Sequence, residues 1–213
     1  MTRKMFWEDP YAATHATVVE TVRGPEVTVR STIFFAFAGG QESDAGTLGG
    51  KAVLQARKEG LEIVYTLPED HGLRPGQPVT MAIDWQRRHR LMRLHFAAEL
   101  VLELVTRALP GVEKIGAHIA PDKARIDFAW PRPITPLLPG VEAEANRIIQ
   151  SDLPIRCAFE DEAGERRYWE IEGFSRVPCG GTHVRTTGEI GPVRLKRDNI
   201  GKGKERVEIR LAS

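Results

Sequence analysis

The first part of the chain alternates short apolar runs with turns that contain glycine or proline. Two such runs on either side of Arg23-Gly24-Pro25 predict a β-hairpin. Short strands at this spacing predict a small β-barrel or a curled sheet over residues 1 to about 80. The predicted strands are Thr17–Val22, Glu26–Arg30, Ile33–Phe37, Ala52–Ala56, Leu61–Tyr65 and a short strand after the turn in Leu73–Thr80, with a glycine-dense loop at Gly39–Gly50.

The longest helical pattern follows this region. Its apolar residues recur at spacings of three and four and form one stripe, which is typical of an amphipathic helix. Asp84 can cap the start of the helix, and Pro110-Gly111 ends the pattern. The stripe consists of Leu91, Leu94, Ala98, Leu102 and Val105.

The latter half of the chain mixes strands with a second helix. A proline-rich connector, Pro131–Pro139, precedes an amphipathic helix at Gly140–Ile149. Helices and antiparallel strands segregated in this way predict an α+β fold, with a second domain over residues 81–213 that contains the long helix. The strands predicted here are Gly116–Ala120, Ala124–Trp130, Ile155–Glu160, Arg167–Ile171, Ile190–Leu195 and Arg206–Leu211.

Composition narrows the class of protein. The 213 residues include 30 Lys and Arg against 29 Asp and Glu, so only a local basic patch could attract a polyanion. The two cysteines, Cys157 and Cys179, are too few for a disulfide framework and suit a reducing compartment. No apolar run reaches the length needed to span a membrane. We therefore expect a cytoplasmic protein with no membrane partner, and the oligomeric state stays open.

The strongest chemical motif is Cys179-Gly180-Gly181-Thr182-His183. A thiolate and an imidazole four positions apart predict a chelating turn, and the two glycines are expected to reach φ > 0 and bend both ligands toward one point. Sulfur and nitrogen donors together favour zinc. A buried cysteine beside an unrelated histidine explains the pair equally well when it is taken alone, so a metal site requires further ligands.

The long helix offers candidates for those ligands. His95 and Glu99 stand one helical turn apart on the same face, so both can reach one ion, although an ordinary surface pair explains them better in isolation. With Cys179 and His183 they give a set of N, O, S and N donors for tetrahedral zinc. If Glu99 does not bind, three protein ligands and an open position remain, as in a zinc site that activates water.

Two loops carry weaker signals. Gly39-Gly40-Gln41 would let the backbone approach a ligand and offers an amide that both donates and accepts, although a structural turn explains it better when it is taken alone. Near the C-terminus, basic residues spaced by glycine suit a phosphate backbone, and a solvated hairpin tip explains them equally well. These basic residues are Lys196, Arg197, Lys202 and Lys204.

The motifs occur in one order, and with them the chain resembles the alanyl-tRNA editing proteins, which are freestanding relatives of the editing domain of alanyl-tRNA synthetase. Cys-Gly-Gly-Thr-His preceded by a helix ligand is a specific combination, and the other pieces are weaker. The resemblance spans most of the chain and indicates the medium-length type with an N-terminal β-barrel domain. The matching pieces are Gly39–Gly46, Asp84–Arg88 leading into His95, Ala124–Phe128, Cys179–His183 and Gly201–Val207.

The resemblance implies a trans-editing hydrolase that removes wrongly attached serine or glycine from alanine-specific tRNA at a zinc site. The partner would be the aminoacylated 3′ end of the tRNA. On this basis we expect His95, Glu99, Cys179 and His183 to bind the metal. We assign Gln41 and Cys179 to catalysis, and Gly39, Gly40, Gln41, Phe96 and Thr182 to substrate binding.

The helix motif departs from the family pattern at two positions. The family usually has His-Thr-Ala-x-His, and this chain has His95-Phe96-Ala97-Ala98-Glu99. A carboxylate is a competent zinc ligand, so we expect the metal to be retained with lower affinity. The threonine that Phe96 replaces is associated in the family with recognition of the seryl hydroxyl, so the identity of the amino acid removed stays open.

Two other functions remain compatible with these residues. One is a non-catalytic tRNA-binding module with a degenerate editing pocket, which would bind tRNA without turnover. The other is a zinc hydrolase that acts on a small ester or amide and binds no tRNA. Substitution of the basic residues would separate these two, because only the first depends on them.

Overall fold

The computed structural model of the chain describes residues 2–201 and 203–212. The helices in this part of the chain are α1 (Trp85–Ala108) and α2 (Leu138–Gln150). The strands are β1 (Arg3–Lys4), β2 (Thr14–Arg23), β3 (Glu26–Val29), β4 (Ser31–Thr32), β5 (Gly46–Leu48), β6 (Lys51–Ala52), β7 (Gln55–Glu59), β8 (Glu62–Thr66), β9 (Pro78–Ile83), β10 (Glu113–Ile119), β11 (Ala124–Ala129), β12 (Arg156–Asp161), β13 (Arg166–Ile171), β14 (Ser175–Pro178), β15 (Val193–Asn199) and β16 (Lys204–Leu211).

The chain forms two compact units. One comprises the residues up to Ala38 together with Glu42–His89, and the other comprises Gly39–Gln41 together with the residues from Arg90 onward. The short Gly39–Gln41 segment joins the second unit through a bridge between Gln41 and Ile119. The division into domains 1–80 and 81–213 concerns independent folding and stays a prediction.

A seven-stranded sheet with the order β6-β5-β9-β2-β3-β8-β7 forms the first unit. Its strand pairs are antiparallel, and β2 and β3 form the hairpin predicted around Gly24. A separate parallel pair joins β1 and β4. These features, with the helices, agree broadly with the predicted α+β class, and closure of the sheet into a barrel stays a prediction.

Ile33–Phe37 is not a strand, although the sequence predicts one. Side chains replace the neighbouring strand as hydrogen-bond acceptors. The backbone N–H of Phe34 donates to Thr32 Oγ1 at 2.9 Å, and that of Phe35 donates to Asp44 Oδ2 at 2.7 Å. The side chains from Ile33 to Ala36 are buried, so the run is apolar because it packs in the core.

The glycine-dense stretch Gly39–Gly50 is also only partly a loop, because it contains strand β5, which pairs with β9. Gly46 lies so close to the neighbouring strand that a Cβ atom there would be 2.1 Å from the Ala82 carbonyl oxygen. A glycine at this position therefore permits a close strand pair, whereas the sequence pattern predicts a loop.

Helix α1 lies where the sequence predicts the long helix. Asp84 caps it, because the Arg87 backbone N–H donates to Asp84 Oδ1 at 3.0 Å. The helix is more deeply buried than one apolar stripe indicates, since Met92, Phe96 and Val101 are 0% exposed in addition to the stripe residues Leu91, Leu94 and Val105. No helix in the described ranges is long and apolar enough to cross a membrane.

The second unit contains two further sheets, ordered β10-β11-β16-β15 and β12-β13-β14. Helix α2 begins at Leu138, so Pro139 lies in its first turn and not in a connector. Proline is tolerated there because its fixed φ suits the helix and its missing N–H would have no partner. The sequence pattern does not predict strand β14.

The basic stretch near the C-terminus is mostly β-hairpin and not an extended loop. Strands β15 and β16 pair continuously from Val193↔Leu211 to Asn199↔Glu205. Lys196 and Arg197 therefore lie within β15. Charged residues at several successive positions of this strand obscure the alternation by which a strand is recognised in the sequence.

Candidate metal centre

The three-stranded sheet gathers several of the site residues. Trp169 of β13 pairs directly with Cys157 of β12 and with Val177 of β14, so these three side chains share one face. Cys179 follows Val177 by two residues, and its N–H donates to the Arg167 carbonyl at 2.9 Å, which continues the extended pairing. The same face therefore presents the Cys179 sulfur.

Helix α1 packs on this face and supplies the other candidate ligands. The Phe96 and Trp169 rings make an edge-to-face contact with centroids 5.1 Å apart. Trp169 Nε1 also donates to Glu99 Oε2 at 2.9 Å. His95 and Glu99, one turn apart on the helix, are thus held toward the strand that leads to Cys179.

The four side chains predicted as metal ligands converge. Cys179 Sγ lies 3.6 Å from His95 Nε2, 3.3 Å from His183 Nε2 and 3.8 Å from Glu99 Oε1. The possible ligand atoms of His95, Cys179 and His183 all lie within 4.8 Å of one another. These three residues form a cluster that could hold a metal ion, with Glu99 Oε1 adjacent, 3.4 Å from His95 Nε2.

The charged side chains of the cluster shift one another's pKa values. Burial raises the pKa of the Cys179 thiol, but His183 and His95 lower it to about 6. Burial lowers the pKa of both imidazoles, and the Cys179 thiolate raises both above their ordinary value. Burial also raises the pKa of Glu99, which hydrogen bonds and charge from His95 lower to about 2. Protons on the imidazoles balance the two anions, and a divalent cation would displace those protons.

The glycines of the motif act differently from the prediction. Neither Gly180 nor Gly181 has a positive φ, so the turn does not depend on left-handed backbone. Gly181 is needed because His95 lies against it: a Cβ atom there would be 1.9 Å from His95 Cε1. The missing side chain makes room for a ligand from another element.

The Gly-Gly-Gln segment holds the ligand turn. Gln41 is 0% exposed; its Nε2 donates to Thr182 Oγ1 at 2.8 Å, and its Oε1 accepts the Thr182 backbone N–H at 3.3 Å. Gly39 and Gly40 have φ of 60° and 88°, and a Cβ atom on Gly40 would lie 2.7 Å from the Ala117 oxygen. Both glycines therefore meet a backbone requirement in presenting Gln41 to Thr182.

The chain is similar to known proteins along nearly its whole length. Residues 167–208 match the family model for the threonyl and alanyl tRNA synthetase second additional domain, and this segment contains Cys179 and His183. The alanyl-tRNA editing protein AlaX-M of Pyrococcus horikoshii is 33% identical over 215 residues, covering 99% of this chain and 98% of that protein. The chain belongs to the alanyl-tRNA editing proteins.

Two other relatives are also similar to nearly the whole chain. AlaX-M of Saccharolobus solfataricus is 32% identical over 233 residues, covering 97% of this chain and 98% of that protein. An alanine–tRNA ligase of Ignicoccus hospitalis is 33% identical over 232 residues, covering 97% of this chain and 26% of the ligase. The family resemblance carried by the motifs is confirmed.

In this alanyl-tRNA editing protein the two departures from the family helix motif have clear positions. Phe96 is 0% exposed and packs edge-to-face on the His183 ring, with centroids 5.4 Å apart. Glu99 lies beside the cluster of His95, Cys179 and His183. The proposed contact of Phe96 with substrate stays a prediction.

Two residues of this centre were not among the predicted site residues. Cys157 Sγ lies 3.2 Å from His183 Nδ1, and the Trp169 indole binds Glu99. Both lie in the segments predicted as strands. The strand register places them on the face of Cys179, and that register could not be derived from the sequence alone.

The predicted tRNA-binding residues of the editing protein divide into two kinds. Lys196 and Lys204 are exposed, whereas Arg197 forms a two-point ion pair with Glu205 at 2.5 Å. Alternation along β15 turns Lys196 and Arg197 toward opposite faces. Lys202 lies outside the described residues.

Proposed function

We propose that the chain is a zinc-dependent deacylase that hydrolyses the ester between a wrong amino acid and alanine-specific tRNA. The observation that carries this proposal is the convergence of His95, Cys179 and His183 in a chain similar along its length to AlaX-M editing proteins. Those relatives are alanyl-tRNA editing proteins, and a metal held by the cluster would supply a chemistry for editing.

The donor set fits zinc. Two imidazole nitrogens and one thiolate sulfur are common zinc ligands, and three protein ligands leave a position open. The charges of Cys179 and Glu99 sum to that of a divalent cation with opposite sign, so binding would neutralise a buried pair of anions. Zinc bound here supplies Lewis acidity toward an ester carbonyl and toward water.

The residues of the chain have separate roles in this proposal. His95, Cys179 and His183 hold the ion. Glu99, kept ionised by its neighbours, either adds an oxygen ligand or accepts a proton from the attacking water. We assign Cys179 to catalysis as a ligand, because its sulfur is already shared by both imidazoles.

Gln41 contributes by positioning. Both atoms of its amide are bonded to Thr182, next to the ligand His183. Gly39 and Gly40 hold the backbone that presents this amide. These contacts support a role for the segment at the editing pocket through the geometry of the ligand turn.

The amino acid removed depends on what the pocket offers to a hydroxyl group. Phe96 gives no hydroxyl partner, and an apolar wall discriminates weakly between ligands that differ by one hydroxyl. We therefore expect similar rates for the glycyl and seryl esters. Alanyl-tRNA, the correct product, is the comparison that defines editing.

The experiment is a deacylation panel with glycyl-, seryl- and alanyl-tRNA, using zinc-loaded protein and the same protein stripped by a chelator and reloaded. We expect release of glycine and serine by the loaded and reloaded samples and none by the stripped sample. Metal binding without release from any tRNA would reject the enzyme and favour the non-catalytic binding module.

Binding of tRNA is proposed to use the exposed lysines Lys196 and Lys204, with Lys202 retained from the sequence prediction. Replacing Lys196 and Lys204 by Ala should lower the slope of log affinity against log salt by about 0.9 for each phosphate that the variant no longer neutralises. Arg197→Ala is the matched control, because its charge is already paired with Glu205. An unchanged slope in the double variant would place the tRNA elsewhere.

A further inference from the structure

The two nitrogens of the His183 ring face two different sulfur atoms. Nε2 lies 3.3 Å from Cys179 Sγ, the sulfur that also lies 3.6 Å from His95 Nε2. Nδ1 lies 3.2 Å from Cys157 Sγ. The cluster is therefore on the Nε2 side of the ring, and Cys157 is on the other.

This arrangement decides which nitrogen can bind a cation. A ligating imidazole nitrogen carries no proton, so the single proton of a neutral ring must sit on the other nitrogen and needs an acceptor. Nε2 faces the cluster, so the proton belongs on Nδ1. Cys157 Sγ is the acceptor within reach.

We propose that Cys157 is a positioning residue of the metal centre: its sulfur accepts the Nδ1–H of His183 and so fixes the tautomer and ring plane that present Nε2 to the ion. This inference rests on the proposed zinc site. It gives a role to the second cysteine, which the ligand cluster itself does not include.

The surroundings of Cys157 are built to hold this contact. Cys157 pairs with Trp169 in the strand register, and the Trp169 indole N–H donates to Glu99. This one pair of strand residues therefore contacts both His183 and Glu99. Phe96 contacts the same His183 ring, with planes at 77°. The ring is thus restrained by a packing contact and a hydrogen bond.

Three variants test the inference: Cys157→Ala, which removes the acceptor; Cys157→Ser, which keeps an acceptor at the same position; and Ala158→Ser, a control on the opposite face of β12. Zinc affinity is measured by competition with a chromophoric chelator, and folding is checked by circular dichroism. We expect Cys157→Ala to bind zinc about 10- to 100-fold more weakly. Cys157→Ser should recover most of the loss, and Ala158→Ser should match the parent chain.

Cobalt substitution gives a second readout. The thiolate-to-cobalt absorption band reports the number of sulfur ligands per ion. A positioning residue leaves that band unchanged per bound cobalt in Cys157→Ala, whereas loss of a sulfur ligand would halve it. Nitrogen NMR of the zinc-loaded parent chain should show an exchange-protected Nδ1–H on His183, which Cys157→Ala removes.

Three results would overturn the inference. A Cys157→Ala variant that binds zinc like the parent, a halved cobalt band, or a serine variant as weak as the alanine variant would each reject the hydrogen bond as the cause. If the parent chain binds no zinc, the inference and the zinc part of the proposed function fail together. If it binds zinc with the expected variant pattern but releases no amino acid, only the deacylase proposal fails.

Discussion

Two buried clusters of charged side chains in this molecule differ in how their polar atoms are bonded. In the first unit, Arg88 is 0% exposed; its Nε donates to Asp44 Oδ1 at 2.8 Å, and its other nitrogens reach the carbonyls of Ile33 and Pro10. In the second unit, His95 is 4% exposed, and its Nδ1 has no hydrogen-bond partner among the described residues. The first cluster satisfies its buried polar atoms with its own hydrogen bonds, whereas the described residues of the second leave one buried ring nitrogen unsatisfied.

The difference shows how a structural ion pair can be told from a ligand site. Asp44 and Arg88 satisfy each other and the backbone around them, so nothing is gained by adding an ion. The possible metal-binding atoms of His95, Cys179 and His183 instead converge on one another, within 4.8 Å. Convergence of possible metal-binding atoms, more than burial or charge, distinguishes the candidate site from the structural ion pair.

The largest expected effect is the loss of the metal centre. In Cys179→Ala, zinc binding should fall below one ion per chain at micromolar metal and deacylation should fall to the uncatalysed rate, because the remaining nitrogen ligands lack the thiolate. Zinc stoichiometry and release from seryl-tRNA measure this. Circular dichroism checks that the variant is folded.

A matched variant makes the Cys179 result specific. His89→Gln is the control. His89 lies on helix α1, as His95 does, but it stacks on Trp85 and is not part of the cluster. The His89→Gln variant should keep one zinc and the parent rate. If Cys179→Ala also keeps its zinc, the cluster is not the metal site.

The next largest effect is on stability in the first unit. Arg88→Met leaves Asp44 buried without its partner, so the free energy of unfolding should fall by about 3–5 kcal/mol. Urea denaturation measures this. The neighbouring Arg87 pairs with Glu42 at 2.6 Å with about a quarter of its side chain exposed, so Arg87→Met should cost much less. Equal losses in the two variants would contradict the contrast between closed and exposed pairs.

A smaller effect is expected from one methyl group in the ligand turn. Gly181→Ala places a Cβ atom against the His95 ring and should weaken zinc binding by about 10- to 100-fold, because the ligand must move. Gly180→Ala is the control, since a Cβ atom there meets nothing within 4 Å. Chelator competition compares the two, and equal affinities would show that His95 adapts without cost.

The smallest effect is a dependence of stability on pH in the sheet of β10, β11, β15 and β16. Burial raises the pKa of Asp127, but Arg206 and Arg125 lower it below its ordinary value. A depressed carboxyl pKa contributes stability above the ordinary value of about 4 and loses it as pH falls through the depressed value. Asp127→Asn should therefore flatten the fall in unfolding free energy below pH about 4, and Glu113→Gln, at an exposed position of β10, should not.

The candidate ligands could be predicted from the sequence as two local pairs, because His95 and Glu99 share a helix face and Cys179 and His183 share a turn. Such spacings are local and need no tertiary information. The reason for Gly181 could not be predicted, since it lies against a ring from another element. Cys157 was missed for the same reason, because strand register is set by the whole sheet.

Two of the errors in the fold have a common cause. Ile33–Phe37 is apolar like a strand, but Asp44 and Thr32 take the hydrogen bonds that a neighbouring strand would have made. The C-terminal hairpin resembles a loop in sequence because ion pairs such as Arg197–Glu205 place charge on paired strands. In both places side-chain bonding outweighed the periodicity on which the prediction relied.

The hydrogen bonds between Gln41 and Thr182 join residues 141 positions apart. During synthesis Gln41 leaves the ribosome long before Thr182. His95 is likewise made 84 residues before Cys179, whose sulfur it contacts. Contacts of such separation are slow to form and close late. The cluster of His95, Cys179 and His183 therefore cannot assemble until nearly the whole chain has been made.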